Sequence, residues 1–342
     1  MNTTKTEKKA RKRPLSADQS VCKRHNTVVL DIPSEKGDSR GFVDFDSIQI
    51  STRTEIVISN LVIDLHKLHK NLPIFELEIP RYLKNKKEII RYISNYPQQI
   101  PYGSIITSEL ENNVRGFKIK KRKQWDEETK STHFRNAIAL VMYLDKLINI
   151  KIPKKGKIQI TGCGKESHVY ECLKQLWNYL SPTDIYSLDK DSGYNYLHFI
   201  IRTVMTNKDF NLGFKIDREN LDKYINTHTR FHSLLETSVG YTGVNIKAPY
   251  EHSNTAINTL SFRNGNWEEN TITYFKYLEV LDAKDRKKEL NKKKKNTFLT
   301  FYSGSCIMSG MNTQYMHDTF YEFINIIKNA RSVIEEDVSK FS

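Results

Sequence analysis

Two stretches decide the fold: GKIQITGCGKESHVYECLKQLW (156–177) and FLTFYSGSCIMSGMNTQYMHDTFYEFINII (298–327). Each places an alternating apolar strand after a Gly-containing turn, closes on Thr-Gly or Ser-Gly, and enters a helix. The apolar positions of that helix recur at three and four residues. The periodicity predicts helices over about 166–180 and 314–327. Two matching strand-to-helix units in one chain point to an internal duplication.

Working outward, the match continues upstream. STRTEIVISNLVIDLHKLHKNL (51–72) parallels VMTNKDFNLGFKIDRENLDKYI (204–225), an apolar strand running into a helix. Asp64 and Asp217 fall at the same place in the two copies, where a carboxylate caps a helix N-terminus. PYGSII (101–106) parallels GYTGVNI (240–246), and extra strands are expected at VRGFKIKK, FRNAIALVMYL, AINTLSF and TITYFKYLEVL. The expected organisation is a flexible basic tail over 1–45 and two copies of one unit over 46–190 and 191–342. The fold class is α+β: a duplicated antiparallel sheet with helices on one face and an open opposite face.

Charge sharpens this. The 342 residues hold 54 Lys+Arg and 40 Asp+Glu, a formal net charge of +14. Residues 1–24, 115–123 and 284–295 each carry a net +6, so the rest of the chain is slightly acidic. The excess points to a polyanionic partner and places the attraction in a tail and two loops. No apolar run approaches membrane-span length, since the longest covers only 137–144, and no membrane partner is expected. Cys22, Cys163, Cys172 and Cys306 show neither metal-ligand nor disulfide-framework spacing and read as reduced intracellular thiols.

Catalytic and cofactor patterns are missing. TGCGKES (161–167) fails as a phosphate-binding loop because Gln159 stands where the first Gly belongs and Glu166 where Ser or Thr would meet magnesium. His228 and His232 lack the metalloprotease glutamate, and His66 and His69 read as helix-face histidines rather than metal ligands. No catalytic residue, metal, cofactor or small-molecule substrate is expected, and nothing argues for an enzyme.

The paired units resemble the TATA-box-binding protein family, in particular its divergent members from large DNA viruses of eukaryotes. The likeness covers about 46–335 and rests on the two stretches quoted first, which are similar to the family's F-x-S-G-K-x-x-x-T-G-A-K hairpin and following helix. It implies a pseudo-twofold saddle, helices on its convex face, whose concave face binds and bends A·T-rich double-stranded DNA in the minor groove. It also implies a transcription initiation factor that recruits a factor-IIB-like protein and a multisubunit RNA polymerase. The setting would be a host nucleus, a cytoplasmic virus factory or the virion. By the same likeness, Thr54 and Asn207 form the central polar pair, and Thr161 and Ser309 the second. Tyr241 and Phe301, with Leu299 beside it, are wedges of the second repeat, and Tyr102 and Pro153 those of the first. Lys247 and Lys157 contact phosphate. Departures from the family are Thr for Asn at 54, Pro for an aromatic at 153, and Ser305 for the second Gly-Lys lysine. An interaction platform with only non-specific DNA binding is the alternative, and nuclease or glycosylase accessory domains of this fold leave an enzyme as a more distant one.

Overall fold

A sheet of 14 strands, every pair antiparallel, organises the computed structural model, which describes residues 42–79, 83, 86–95, 100–117, 136–235, 243–250 and 256–336. All of these belong to one compact unit, Phe42–Ser342. The first half of the chain supplies β1 (Ile50–Ile63), α1 (Leu65–Asn71), α2 (Lys86–Asn95), β2 (Ile105–Leu110) and β3 (Asn113–Gly116). There follow β4 (Ala137–Tyr143), β5 (Leu147–Pro153), β6 (Lys155–Cys163), α3 (Ser167–Leu180) and the short β7 (Tyr186–Leu188). The second half supplies β8 (Leu197–Asn211), α4 (Arg218–His228), β9 (His232–Leu235) and β10 (Gly243–Pro249). It continues with β11 (Ile257–Arg263), β12 (Asn266–Ile272), α5 (Tyr274–Val280), α6 (Ala283–Leu290), β13 (Lys295–Phe301), β14 (Ser305–Gly310) and α7 (Thr313–Ile334).

The strand order is β3-β2-β4-β5-β6-β1-β8-β14-β13-β10-β9. Read outward from the β1–β8 seam, one side runs β6, β5, β4 and the other β14, β13, β10, each a last hairpin followed by an earlier strand. The register at the seam has the same symmetry. Arg53 faces Thr206, Thr54 faces Met205, and Thr52 faces Asn207. These pairs interchange when every residue is moved by the 153 positions that separate Thr54 from Asn207.

Burial explains why the elements form. Val57, Ile148, Ile150, Ile158 and Ile160 alternate toward Val169, Cys172, Leu173 and Leu176 of α3. Phe210, Val244, Ile246, Phe298 and Met308 do the same toward Met316, Phe320 and Phe323 of α7. Phe298 stacks on Phe323 with ring centroids 4.0 Å apart. The two matching caps are present: the Asp64 carboxylate accepts from the Lys67 N–H at 3.0 Å, and that of Asp217 from the Asn220 N–H at 3.0 Å. One β-bulge matters for the site. Thr54 pairs with Met205 but Glu55 with Thr203, so the extra residue Val204 reverses which side chains of β8 face the helices.

Several expectations change. TITYFKYLEVL is a strand only to Ile272; Thr273 then caps α5 by accepting from the Lys276 N–H. The basic segment 284–295 is no loop, because α6 occupies Ala283–Leu290. Of the basic segment 115–123, Arg115 and Gly116 end β3, whereas 118–123 lie outside the described residues, as does the tail 1–41. The tail boundary at 45 moves back, since Phe45 opens a 3-10 turn, is 1% exposed and packs on Phe320 of α7. PYGSII and GYTGVNI are not counterparts: the first feeds β2, fourth from the seam, and the second feeds β10, third from it. The counterpart of β10 by rank is β4.

The face opposite α3 and α7 is not wholly open. Ile89 and Ile93 of α2 pack there against Ile106 and Tyr143, beside Val141 and Leu147. Tyr274, Tyr277, Leu278 and Leu281, from α5 and the residue following it, pack there on Ile200 and Ile257, beside Ile58. β11 makes this possible by pairing with Leu197–Ile201 of β8, beyond the Thr206–Asn211 stretch that β14 occupies.

Candidate nucleic-acid interface

Between those two covers runs a polar strip. Across the second half, Lys247 faces Thr297, Thr297 faces Ser309, Ser309 faces Asn207, and Asn207 faces Thr52. Across the first half, Met205 faces Thr54, Thr54 faces Thr161, Thr161 faces Asn149, and Asn149 faces Val141. The two rows are one pattern repeated about the Arg53/Thr206 pair. The strip thus holds all four residues of the two expected polar pairs, Thr54/Asn207 and Thr161/Ser309, and its direct cross-strand neighbours join one member of each: Thr54 with Thr161, and Asn207 with Ser309. Strand alternation puts them on the face opposite α3 and α7, because Ile160 and Met308 beside them are core residues.

Between Lys247 at one end and Val141 at the other, and with Met205 the one apolar member near the middle, the strip carries small neutral hydrogen-bonding groups. Gln159 Nε2 donates to Thr161 Oγ1 at 3.3 Å. Thr54 is 7% exposed, and the Oδ1 of Asn207 is buried with no hydrogen-bond partner among the described residues. The centre of such a surface can offer hydrogen-bond donors to acceptor-rich edges, such as those of a nucleic-acid groove, without a fixed charge.

The two ends of the strip differ. In the second half, Leu299 and Phe301 alternate to the strip face beside Thr297, and Ile307 faces Leu299. Phe301 lies opposite Gly243, where an added Cβ would come within 2.5 Å of Leu299 Cδ1 and 3.4 Å of Phe301 Cε1. In the first half the equivalent positions are Lys151 for Leu299, Gln159 for Ile307 and Pro153 for Phe301. Large apolar side chains of the central strands are therefore gathered on the second-half side of the strip face.

Lys157 is on the strip face of β6, opposite Ile58, and forms an ion pair with Asp285 of α6. That contact holds the Asp285 carboxyl below its ordinary value. Tyr102 lies off the strip: it is 54% exposed on a turn where Tyr179 of α3 donates from its hydroxyl to Gly103 O at 3.0 Å. Gly103 has φ +85°, and a Cβ there would meet Gln175 of the same helix. Tyr241 lies outside the described residues.

Residues not anticipated from sequence complete the edge of the strip. Arg202, paired with Ile56, donates from Nη1 to Tyr277 Oη at 3.0 Å and forms an ion pair with Glu289, which also pairs with Lys294. Burial works to raise the Glu289 carboxyl, but the hydrogen bonds from Arg202 and Lys294 prevail and bring it down to about 2. The Val204 bulge that turns Arg202 to this face leaves no trace in apolar alternation. Asn149 and Thr297 were accessible to sequence, since they stand at equal spacing before Pro153 and Phe301.

The other candidates found structural roles. Cys163, Cys172 and Cys306 are buried, and burial pushes all three thiols up, away from nucleophilic character. His69 Nδ1 lies 2.7 Å from Ser108 Oγ, and His228 stacks on Tyr224. Among the described residues no group of His, Cys, Asp and Glu is arranged to hold a metal, and no helix is long and apolar enough to cross a membrane.

Comparison with known proteins gives a distant picture. The chain is 26% identical over 332 residues to the uncharacterized protein 335L of Invertebrate iridescent virus 6, covering 91% of each chain. Among solved structures it is similar to the TBP of Methanococcus jannaschii at 14% identity and a TM-score of 0.38, over 82% of this chain and 98% of that one. No family model matches.

Proposed function

We propose that the chain is a TATA-binding-protein-like factor that holds duplex DNA on the Thr54/Thr161–Asn207/Ser309 strip. Residues 46–190 and 191–342 are two copies of one unit in this reading, and the strip follows the minor groove of A·T-rich DNA. The observation that carries it is the pair of equivalent rows about Arg53 and Thr206, which present uncharged hydrogen-bonding groups at the centre. Such groups can donate to the acceptor-only edges of A·T pairs, and a surface pressed to the groove floor leaves little room for the protruding G·C amino group. Leu299 and Phe301 are the wedge that opens a base step and bends the duplex. Because Pro153 replaces the equivalent aromatic, the bend is centred on the second-half end. Lys247 contacts phosphate. Promoter binding would then present the face that bears α3 and α7 to a factor-IIB-like protein and an RNA polymerase of a viral transcription system.

Selection of bound duplexes from a random pool at near-physiological salt tests this reading. An A·T-rich consensus supports it, and absence of any enrichment rejects it. A second reading, a protein-interaction platform, is favoured by the α2 and α5 covers, which narrow the strip, and by the exposed Phe275 and Leu290. It predicts duplex binding without sequence preference.

A further inference from the structure

We infer that α6 and the turn after it are a fixed phosphate-binding element for the backbone of a nucleic-acid duplex lying on the strip. The inference rests on the proposed DNA-binding function and adds a site to it. In α6, Asp285 and Glu289 are one turn apart and both face the sheet, where they engage Lys157 and the Arg202/Lys294 pair. Lys284, Lys287 and Lys288 form a separate stripe on the same helix, and all three are exposed, as are Lys292, Lys293 and Lys295 just beyond it. The acids thus point inward and the lysines outward.

The anchoring is rigid. Arg286 ties α6 to the end of α5 by donating from Nε to Leu278 O at 2.8 Å, and from Nη2 to Glu279 O at 3.0 Å and Leu281 O at 3.3 Å. Tyr274, Tyr277 and Leu278 of α5 and the adjoining Leu281 are in turn buried on the sheet. Glu289 and Lys294 are both largely buried, so α6 and the turn after it are not a loose lid. Lys157 lies four residues from Thr161 on β6, which places its contact with α6 roughly 13 Å along that strand from the strip. A duplex is about 20 Å wide and carries a charge every ~1.7 Å of its axis, so a backbone seated on the strip passes within reach of this stripe. The partner fitted by a row of outward lysines beside a neutral groove-reading surface is duplex nucleic acid, by charge complementarity.

The test measures binding of an A·T-rich and a G·C-rich duplex across a salt series. It compares wild type, the triple variant Lys284→Gln/Lys287→Gln/Lys288→Gln, and a chain lacking residues 1–24. The triple variant changes only exposed side chains and keeps the fold. It should lower the salt slope by about 2–3 and weaken binding roughly tenfold or more on both duplexes alike. It should do so more strongly than loss of 1–24, although that removes twice the net charge. If losses instead scale with charge removed, α6 contributes only general attraction and the inference falls. Hydrogen exchange adds a second reading: α6 amides should gain protection on adding duplex, and a loss would mark α6 as a displaceable cover. If the triple variant matches wild type while A·T preference persists, only this inference fails. If wild type binds neither duplex at low salt, both readings fail.

Discussion

Arg53 of β1 stands directly opposite Thr206 of β8, and this pair is the centre about which the two halves of the sheet repeat. Both side chains turn toward the helix-bearing face. The strip on the other face therefore starts one residue away, with Thr54 on one side and Asn207 on the other. A twofold arrangement built from unequal residues, Thr54 on one side and Asn207 on the other, gives the site a direction.

Asn207→Ala removes a buried acceptor that has no hydrogen-bond partner among the described residues. No native hydrogen bond of that atom is lost, and a desolvation cost of about 1–3 kcal/mol is relieved. The unfolding midpoint should stay level or rise. Affinity for an A·T-rich duplex should fall by about tenfold, the lower part of the range for a groove contact. Thermal unfolding and fluorescence-anisotropy titration check the two halves of this statement, and unchanged affinity would place Asn207 outside the interface.

The wedge prediction follows from Gly243. Phe301→Ala should reduce both affinity for an A·T-rich duplex and the bend, read as a longer end-to-end distance by energy transfer between dyes on the duplex. Pro153→Ala should change the distance less, because no apolar neighbours equivalent to Leu299 and Ile307 surround it. Gly243→Val, which drives a side chain into Leu299 and Phe301, should imitate Phe301→Ala in part while costing about 1 kcal/mol of stability. Equal effects of the Phe301 and Pro153 variants would remove the asymmetry.

Much of this was legible in the sequence because the same local grammar stands in it twice. The capping aspartates Asp64 and Asp217, the helices after Cys163 and Gly310, and the offset between Thr54 and Asn207 all survive in the structure. What failed was decided by tertiary context. GYTGVNI and PYGSII look alike because both are Gly turns entering a strand, yet strand rank depends on pairing, which no local pattern encodes. TITYFKYLEVL is aromatic and β-branched enough for a strand, but Thr273 caps a helix there and the tyrosines find the sheet as their burial surface. The run 284–295 read as a loop because its lysines masked two acids one turn apart, whose partners Lys157 and Arg202 lie far away in sequence.

The Glu289 cluster gives a stability prediction. Glu289→Gln leaves Arg202 and Lys294 in a largely buried place without their counter-charge, and should destabilise the fold by about 3–5 kcal/mol. Replacing Lys294 as well, with Met, should recover part of that loss, since the uncompensated cation goes with it. Chemical denaturation of the single and double variants measures both. A single variant as stable as wild type would show the cluster to be energetically idle.

Acid should release the two sides of the β8–β11 region in different windows. Burial, with Arg263 and Lys276 nearby, lowers His198 from 6.5 to about 4. A base depressed in the folded state is protonated first in the unfolded chain. Its contribution is therefore complete above pH 6.5 and is lost as pH falls through that interval toward 4. Glu289 is depressed from 4.5 to about 2, so its contribution is complete above pH 4.5 and disappears only as pH falls toward 2. Stability measured by denaturation should thus decline first between pH 6.5 and 4, and again below 4.5. His198→Gln should reduce the first decline, to which His69 and His168, also lowered by burial, contribute the remainder, and leave the second. The Nδ1 of His198 lies 2.8 Å from Ser261 Oγ, so β11 amides near Ser261 should lose exchange protection in the first window, ahead of those in α6. If α6 amides open at the higher pH together with β11, Glu289 is not what holds the helix on the sheet.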